Sequence, residues 1–538
     1  MKATNMIKAI SKTQLLLAPI VAMFLLLATA AYAAAPGITG PTFNLTAQPA
    51  YITQPDGQMI YSWGYGCSAA PSGYAPGAIK NGFCNTMQVP GPTLIVKEGD
   101  AVTVNLSNNL PTAAGNTSIL FPGFQVTATG GVAGLLAQEA APGGTVTYKF
   151  TATTPGTRAY YSGSQGDLQI EMGMYGAVIV LPATAQSCPA HSTYAGVNNA
   201  GTALVAGGED DFRLATSAYD HVKTCYDREY LFQFSEMDPA IHSQALAQVS
   251  DQNRVAACAK GATTPGCSLD VPTEPYHPAY FMINGRSMPD DMDPNYALEY
   301  PHQPYNGNPH MHPGDQVLLR IIGQGRWQHP FHEHGNHVRI LARDGNLILS
   351  STNPADPNLA GPLLFTTTTT PGVAMDGIFY WTGRGLNWDP YGHNPASGDP
   401  LATLTCTPDA NGYNTGNPAA VNYYEWCQDH NKPVQVAPFG DVAGGGPATL
   451  PDANILTNGA WYGGSPYLGP DATQRATGPT GTTPPSGTIA NPPGSEAGFA
   501  FMWHSHNERE ITTNNIFPGG MMMMMLVDSR EFPIDESN

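Results

Sequence analysis

"VKEGDAVTVNLSNN" (96–109) and "HPGDQVLLRIIGQG" (312–325) are the two stretches on which the fold turns. In each, a Gly-Asp turn, Gly99-Asp100 or Gly314-Asp315, leads directly into a run that reads as an alternating strand. The segments beyond each turn repeat in the same order. After the first come "NTSILFPGFQV" (116–126) and "APGGTVTYKFTATTPGTRAYYSGSQGDLQIEMGMYGAVIVLP" (141–182). After the second come "QHPFHEHGNHVRIL" (328–341), "TPGVAMDGIFYWTG" (370–383) and "FAFMWHSHNEREITTNNIFPGGMMMMMLVD" (499–528). A turn, a strand, a short motif, a Pro-Gly turn and a closing apolar strand, met twice, predict an all-β chain of two Greek-key sandwiches. The composition agrees, since 12% charged residues with 59 Gly and 49 Pro suit short strands and turns rather than long amphipathic helices.

The chain opens with lysines at 2, 8 and 12, an apolar run, and small residues at Ala31-Tyr32-Ala33. This pattern predicts a secretory signal over 1–33, cleaved after Ala33, and a mature protein outside the cytoplasm with no membrane span. A formal charge of −19 for the whole chain argues against nucleic acid as a partner. The eight cysteines (67, 84, 188, 225, 258, 267, 406, 427) are an even number in an exported chain, so four disulfides are expected. Pairing by nearest neighbour, 67/84, 188/225, 258/267 and 406/427, is the simplest of the possible arrangements. The segments then divide as a first sandwich over 34–185, a connecting segment with the first strands of the second over 186–278, a second sandwich over 279–530, and an acidic tail at 531–538. A stretch rich in Gly, Pro, Asn and Thr at about 382–498 interrupts the second sandwich. Its length without strand signals predicts an insertion pinned by the 406/427 pair, either a lid or a decoration.

The chemistry-bearing residues are histidines. "FMWHSHNERE" (501–510) sets His504 and His506 on one face of a strand and Ser505 on the other; "HPFHEHGNH" (329–337) repeats the arrangement with His332 and His334. Four imidazoles from two neighbouring strands suit copper or zinc.

These motifs carry a resemblance. "MQVPGPTLIVKEGDAVTVNLSNNLP" (87–111), "PGTRAYYSGSQGDLQIEMGMYGAVIVLP" (155–182), "HPFHEHGNH" and "FMWHSHNERE" with "GGMMMMM" resemble, in order, the opening strands, the end of the first cupredoxin domain, the His-Pro-x-His-x-His-Gly signature and the closing His-Cys-His stretch of multicopper oxidases. The likeness covers most of 87–182 and 279–528 apart from the insertion. It implies two cupredoxin-like domains, copper as cofactor, and an oxidoreductase in which a type 1 copper feeds a trinuclear cluster held by four His-x-His pairs. Carried over residue by residue, the first-domain pairs fall on Leu120, Pro122, Ser162 and Ser164, and no histidine precedes His191. In the second domain the pairs survive as His332/His334 and His504/His506. His329 takes the first type 1 position, Ser505 replaces the thiolate ligand, and Glu510 stands where the second type 1 histidine belongs. A serine hydroxyl cannot supply the soft bond of a blue copper site.

The expectation is therefore an exported, copper-binding relative with fewer than four ions, held by His332, His334, His504 and His506 with His329 as a possible fifth, at the face that meets the first domain. The rival reading is a non-enzymatic extracellular scaffold or interaction protein. An unconventional oxidase acting on metal ions or phenols is a third, and a homo-oligomer is possible. Around this centre, Glu333 and Glu510 could add oxygen ligands, "PHMHPGD" (309–315) offers His310 and His312, and His337 closes the "HGNH" motif. The methionine run reads as core filling or as thioether ligands. No Gly-x-Ser-x-Gly, phosphate loop or Cys-His nucleophile pair is apparent, "SEMDPAIHSQ" (235–244) forms no recognisable catalytic set, and "YFMINGRSMPD" (280–290) reads as scaffold.

Overall fold

The computed structural model describes residues 35–75, 84, 86–188, 211–312, 314–351, 358–381, 407–410, 414–416, 464–468, 497–528 and 534. The signal segment, most of the insertion, the 406/427 pair and most of the acidic tail lie outside these residues.

The first half folds into β1 (Gly37–Thr39), β2 (Thr42–Thr53), β3 (Met59–Cys67), β4 (Gly73–Ala75), β5 (Leu94–Lys97), β6 (Ala101–Asn108), β7 (Thr127–Gly130), β8 (Val132–Ala133), β9 (Gln138–Glu139), β10 (Thr145–Thr151), β11 (Gly156–Tyr161) and β12 (Tyr175–Leu181). The second half adds β13 (Arg228–Met237), β14 (Tyr280–Ile283), β15 (His310–Met311), β16 (Gln316–Gly323), β17 (His329–Glu333), β18 (Val338–Arg343), β19 (Asn346–Leu347), β20 (Leu363–Leu364), β21 (Thr366–Thr369), β22 (Ala374–Tyr380), β23 (Gly464–Leu468), β24 (Ala497–Ser505) and β25 (Met522–Asp528). They form four main sheets, ordered β3-β2-β6-β10-β7, β11-β12-β5-β1-β4, β14-β13-β16-β22-β18-β19 and β15-β25-β24-β17-β21, while β8 and β9 make a separate hairpin. The fold is all-β, two cupredoxin-like Greek-key sandwiches with few helices.

Burial along each strand explains the layering. β6 and β10 alternate between buried and more exposed positions, the pattern of a sheet with one face in the core and one toward water. β12 ("YGAVIVL") and β13 ("REYLFQFSEM") are buried almost throughout, which requires cover on both faces. Val178 and Val180 point into the first core; Ala177 and Ile179 meet Leu231, Ile322 and Ala374 of the second half. Tyr230, Phe232 and Phe234 of β13 then point the other way, into the second core. The sheets carrying β12 and β13 are therefore the inner pair, packed on each other, and the sheet carrying β17 and β24 is the outermost layer of the second half.

Polar groups fasten the inner pair. Asp376 accepts from the Thr157 backbone N–H (3.1 Å) and hydroxyl (2.6 Å), Arg320 Nη1 donates to Thr157 Oγ1 at 3.1 Å, and the Tyr175 hydroxyl donates to Ser235 Oγ at 2.7 Å. The helix Pro239–Ser250, started by Asp238 capping the Ala240 N–H at 2.9 Å, packs Ile241 and Ala245 onto the first core. Three disulfides join Cys67–Cys84, Cys188–Cys225 and Cys258–Cys267, matching nearest-neighbour pairing at the described cysteines. Among the described residues no helix is long and apolar enough to cross a membrane. Of the insertion, β23 pairs antiparallel with β24, so the inserted segment adds a strand to the outermost sheet.

Candidate metal centre

β17 and β24 run antiparallel with Phe331 opposite Ser505, His332 opposite His504 and Glu333 opposite Trp503. Facing residues in such a ladder share a side of the sheet. Phe331 and Trp503 lie in the second core, so Ser505 faces inward with them, and the histidines face outward. The register brings His332, His334, His504 and His506 together. Ring centroids lie 4.8 Å apart for His332 and His334, 4.9 Å for His332 and His506, 5.1 Å for His334 and His504, and 5.6 Å for His332 and His504. The cluster sits on the outer side of the outermost sheet, away from the first sandwich, and not at the face expected to meet it. His506 is its open member, its side chain half exposed.

Fixed hydrogen bonds orient two of the rings. His504 Nδ1 donates to the Ser505 carbonyl at 2.7 Å, which leaves its Nε2 as the lone-pair atom, 3.1 Å from His334 Nε2. His332 Nδ1 is 2.8 Å from the Thr366 hydroxyl. Burial, together with the neighbouring His504 and His506, lowers His332 to about 4, and burial lowers His504 as well. These imidazoles are neutral at pH 7, the form a metal requires. Among the described residues, no three or more His, Cys, Asp and Glu side chains converge into a preformed coordination sphere. The four rings are a contact cluster on one side of the sheet, with His332, His334 and His504 buried and His506 exposed.

His329 does not join them. It lies three residues before His332 on the same strand, an odd spacing that turns it inward. There it is fully enclosed between two carboxylates, Nε2 2.9 Å from Glu236 Oε2 and Nδ1 2.8 Å from Glu510 Oε2. Burial opposes a charge on this ring, but the hydrogen bonds and charges of Glu236 and Glu510 outweigh it and lift His329 to about 9. Both ring nitrogens of the imidazolium are donors, so it has no lone pair to offer a metal. Ser505 Oγ donates to the same Glu510 Oε2 at 2.5 Å, and Asn507 Nδ2 donates to Glu510 Oε1 at 2.9 Å. The residues aligned with the type 1 copper thus form a closed hydrogen-bonded set. The sequence does not single out Glu236; it lies 93 residues from His329, and no local pattern marks it.

The other candidates fall elsewhere. Glu333 faces inward, takes the Thr367 hydroxyl at 2.8 Å, and is raised by burial to about 8; neither it nor Glu510 shares the histidine face. His312 is buried, with its N–H on Asp315, which also pairs with Arg228 at 2.7 Å. His337 stacks edge-on against Phe365 at 4.7 Å. The "SEMDPAIHSQ" stretch contributes Glu236 to the clamp and places His242 between the Tyr61 and Glu171 carbonyls at 2.6 and 3.1 Å, where burial lowers it to about 4. In "YFMINGRSMPD", Arg286 is wholly buried, with Nε donating to the Gln303 carbonyl and Nη1 to the carbonyls of Asp290, Asp293 and Pro294, a scaffold arrangement. In the first half, Ser162 and Ser164 are buried and satisfied, donating to Gln169 Oε1 at 2.6 Å and Glu139 Oε1 at 2.7 Å.

Residues 77–185 match the multicopper oxidase family model. Over 105 residues the chain is 35% identical to laccase abr2 of Aspergillus fumigatus, covering 19% of this chain and 17% of that one. It is 36% identical over 96 residues to an L-ascorbate oxidase of Brassica rapa, covering 17% and 16%. The chain thus spans less than a fifth of the length of these relatives. The blue copper oxidase of Nitrosomonas europaea superimposes over 90% of this chain and 85% of its own, with 16% identity and a TM-score of 0.41. Residues 77–185 thus carry a multicopper oxidase domain, and over about that stretch the chain is similar to laccases and ascorbate oxidases.

Proposed function

We propose that this chain is an exported copper-binding protein of that family, with a reduced metal site made by His332, His334, His504 and His506. The observation that carries the reading is the register of β17 against β24, which sets the four imidazoles on one surface. The donor set fits copper: His332 and His504 are neutral, the Ser505 carbonyl holds His504 at Nδ1 as carbonyl partners hold metal-bound histidines, and the Thr366 hydroxyl meets Nδ1 of His332. Copper held by these residues would supply a Lewis-acidic or one-electron centre. The chain's own residues hold the ion and keep it apart from the inward-facing clamp. Oxygen reduction by the four-copper route is not supported, because the first-half positions carry Leu120, Pro122, Ser162 and Ser164 and the thiolate position carries Ser505. The 1–33 leader supports export.

A second reading, a scaffold that keeps the fold without copper, is favoured by one observation, the carboxylate-bound state of His329. Element analysis of the purified mature chain, wild type and His332→Ala, His504→Ala and His310→Ala variants, separates the two. Copper present in wild type and His310→Ala, and lost from the other two with folding retained, supports the four-histidine site. Absence of copper after loading, or its loss only in His310→Ala, overturns it.

A further inference from the structure

The run Met521 to Met525 divides by parity. Met521, Met523 and Met525 are fully buried in the second core beside Phe331 and Trp503. Met522 and Met524 necessarily point the other way, and the ladder pairs Met522 with His504 and Met524 with Met502. Met502 is two residues from His504 on the same strand, so it shares that face too. The outward surface therefore carries three thioethers contiguous with the four imidazoles. Directly facing residues in an antiparallel pair hold their Cβ atoms roughly 4.5–5.5 Å apart, within reach of one ion for a flexible methionine. The second core's cluster includes the odd-numbered methionines and neither of the even ones. Met522 and His504, its partner across the ladder, are each 6% exposed, while His506 stays open.

Thioethers are soft, neutral donors that select Cu(I), while zinc and Cu(II) sites are built mainly from imidazole and harder ligands. We infer that Met522, with Met502 beside it, joins His504 and His334 in a mixed thioether and imidazole site, and that the ion this face takes is Cu(I). The inference rests on the copper-binding reading of this face and specifies the oxidation state and the donors. No redox step is involved, since the ion is taken up and held in the cuprous form.

Anaerobic competition of the mature chain with a chromophoric Cu(I) chelator, alongside zinc titration, tests it on wild type, Met502→Leu, Met522→Leu and the double variant. Leucine conserves volume, so the fold should persist, as circular dichroism will report. Changing a group that merely supports a metal's ligands costs roughly 10–100-fold in affinity, so loss of a direct donor should weaken Cu(I) binding by about tenfold or more. Zinc binding should stay within about twofold of wild type. X-ray absorption of the Cu(I)-loaded wild type should show sulfur in the coordination sphere, a readout that needs no variant. Unchanged Cu(I) affinity in the methionine variants, or no copper–sulfur scattering, overturns this inference and leaves the four-histidine site standing if His332→Ala still abolishes binding. A wild-type chain that binds no Cu(I) and no zinc overturns both.

Discussion

Replacing His329 with glutamine should change how stability depends on pH, by an amount the clamp itself sets. The ring's pKa rises from the ordinary 6.5 to about 9 on folding. A shift of this size in an enclosed group corresponds to about 3 kcal/mol, at 1.36 kcal/mol per pKa unit. Because the folded value is the higher one, the contribution is fully present below about pH 6.5. It fades between about 6.5 and 9 and is absent above that range. Glutamine can occupy the space and donate one hydrogen bond, but it leaves Glu236 and Glu510 facing each other without a cation. Removing one partner of a buried ion pair costs about 3–5 kcal/mol. The assay is equilibrium urea unfolding of wild type and His329→Gln from pH 6 to 9.5. The quantity read is the difference between the two proteins, which cancels the titration of other buried groups such as Glu171 and Glu333, both raised by burial to about 8. The gap should be largest at pH 6 and shrink by about 3 kcal/mol by pH 9.5. Parallel stability curves across that range would refute the charged clamp.

The same geometry sets three further outcomes. With Ser505 donating to Glu510 and no thiolate nearby, the copper-loaded protein should lack the intense absorption near about 600 nm of cysteine-bound copper, and an optical spectrum decides it. Ser505→Cys alone should not restore oxygen consumption with a phenolic substrate, because Ser162 and Ser164 still stand in the first half; measurable turnover by an oxygen electrode would contradict this. Copper affinity should hold as pH falls below the ordinary histidine value and collapse only toward about 4, since His332 is depressed to that value by burial; a midpoint near 6.5 in a pH-dependent chelator competition would show ordinary, exposed imidazoles instead.

The sequence by itself determined the all-β character and the repeat, because Gly-Asp turns feeding strand-length runs are local signals read from neighbouring residues. It also determined that His504 and His506 share a face opposite Ser505, and that His332 and His334 share another, because strand parity is a property of the backbone. The same parity, applied to the three-residue step from His329 to His332, would have separated His329 from the pair, although the resemblance kept it as a fifth ligand. The even and odd members of the methionine run are split in the same way, since a continuous strand cannot turn successive side chains to one side.

Tertiary structure decided the rest. That His332 lies opposite His504 depends on the register of β17 against β24, which is set by seating Phe331 and Trp503 in one core. That the cluster faces outward depends on sheet order: β12 and β13, buried on both faces, take the inner places and leave β17 and β24 on the outside. The partner that holds His329 charged, Glu236, comes from β13, and no spacing in the chain could have named it. Contacts across a sandwich join residues distant in sequence, so the chemistry of His329 was fixed only once the two sheets had closed on each other.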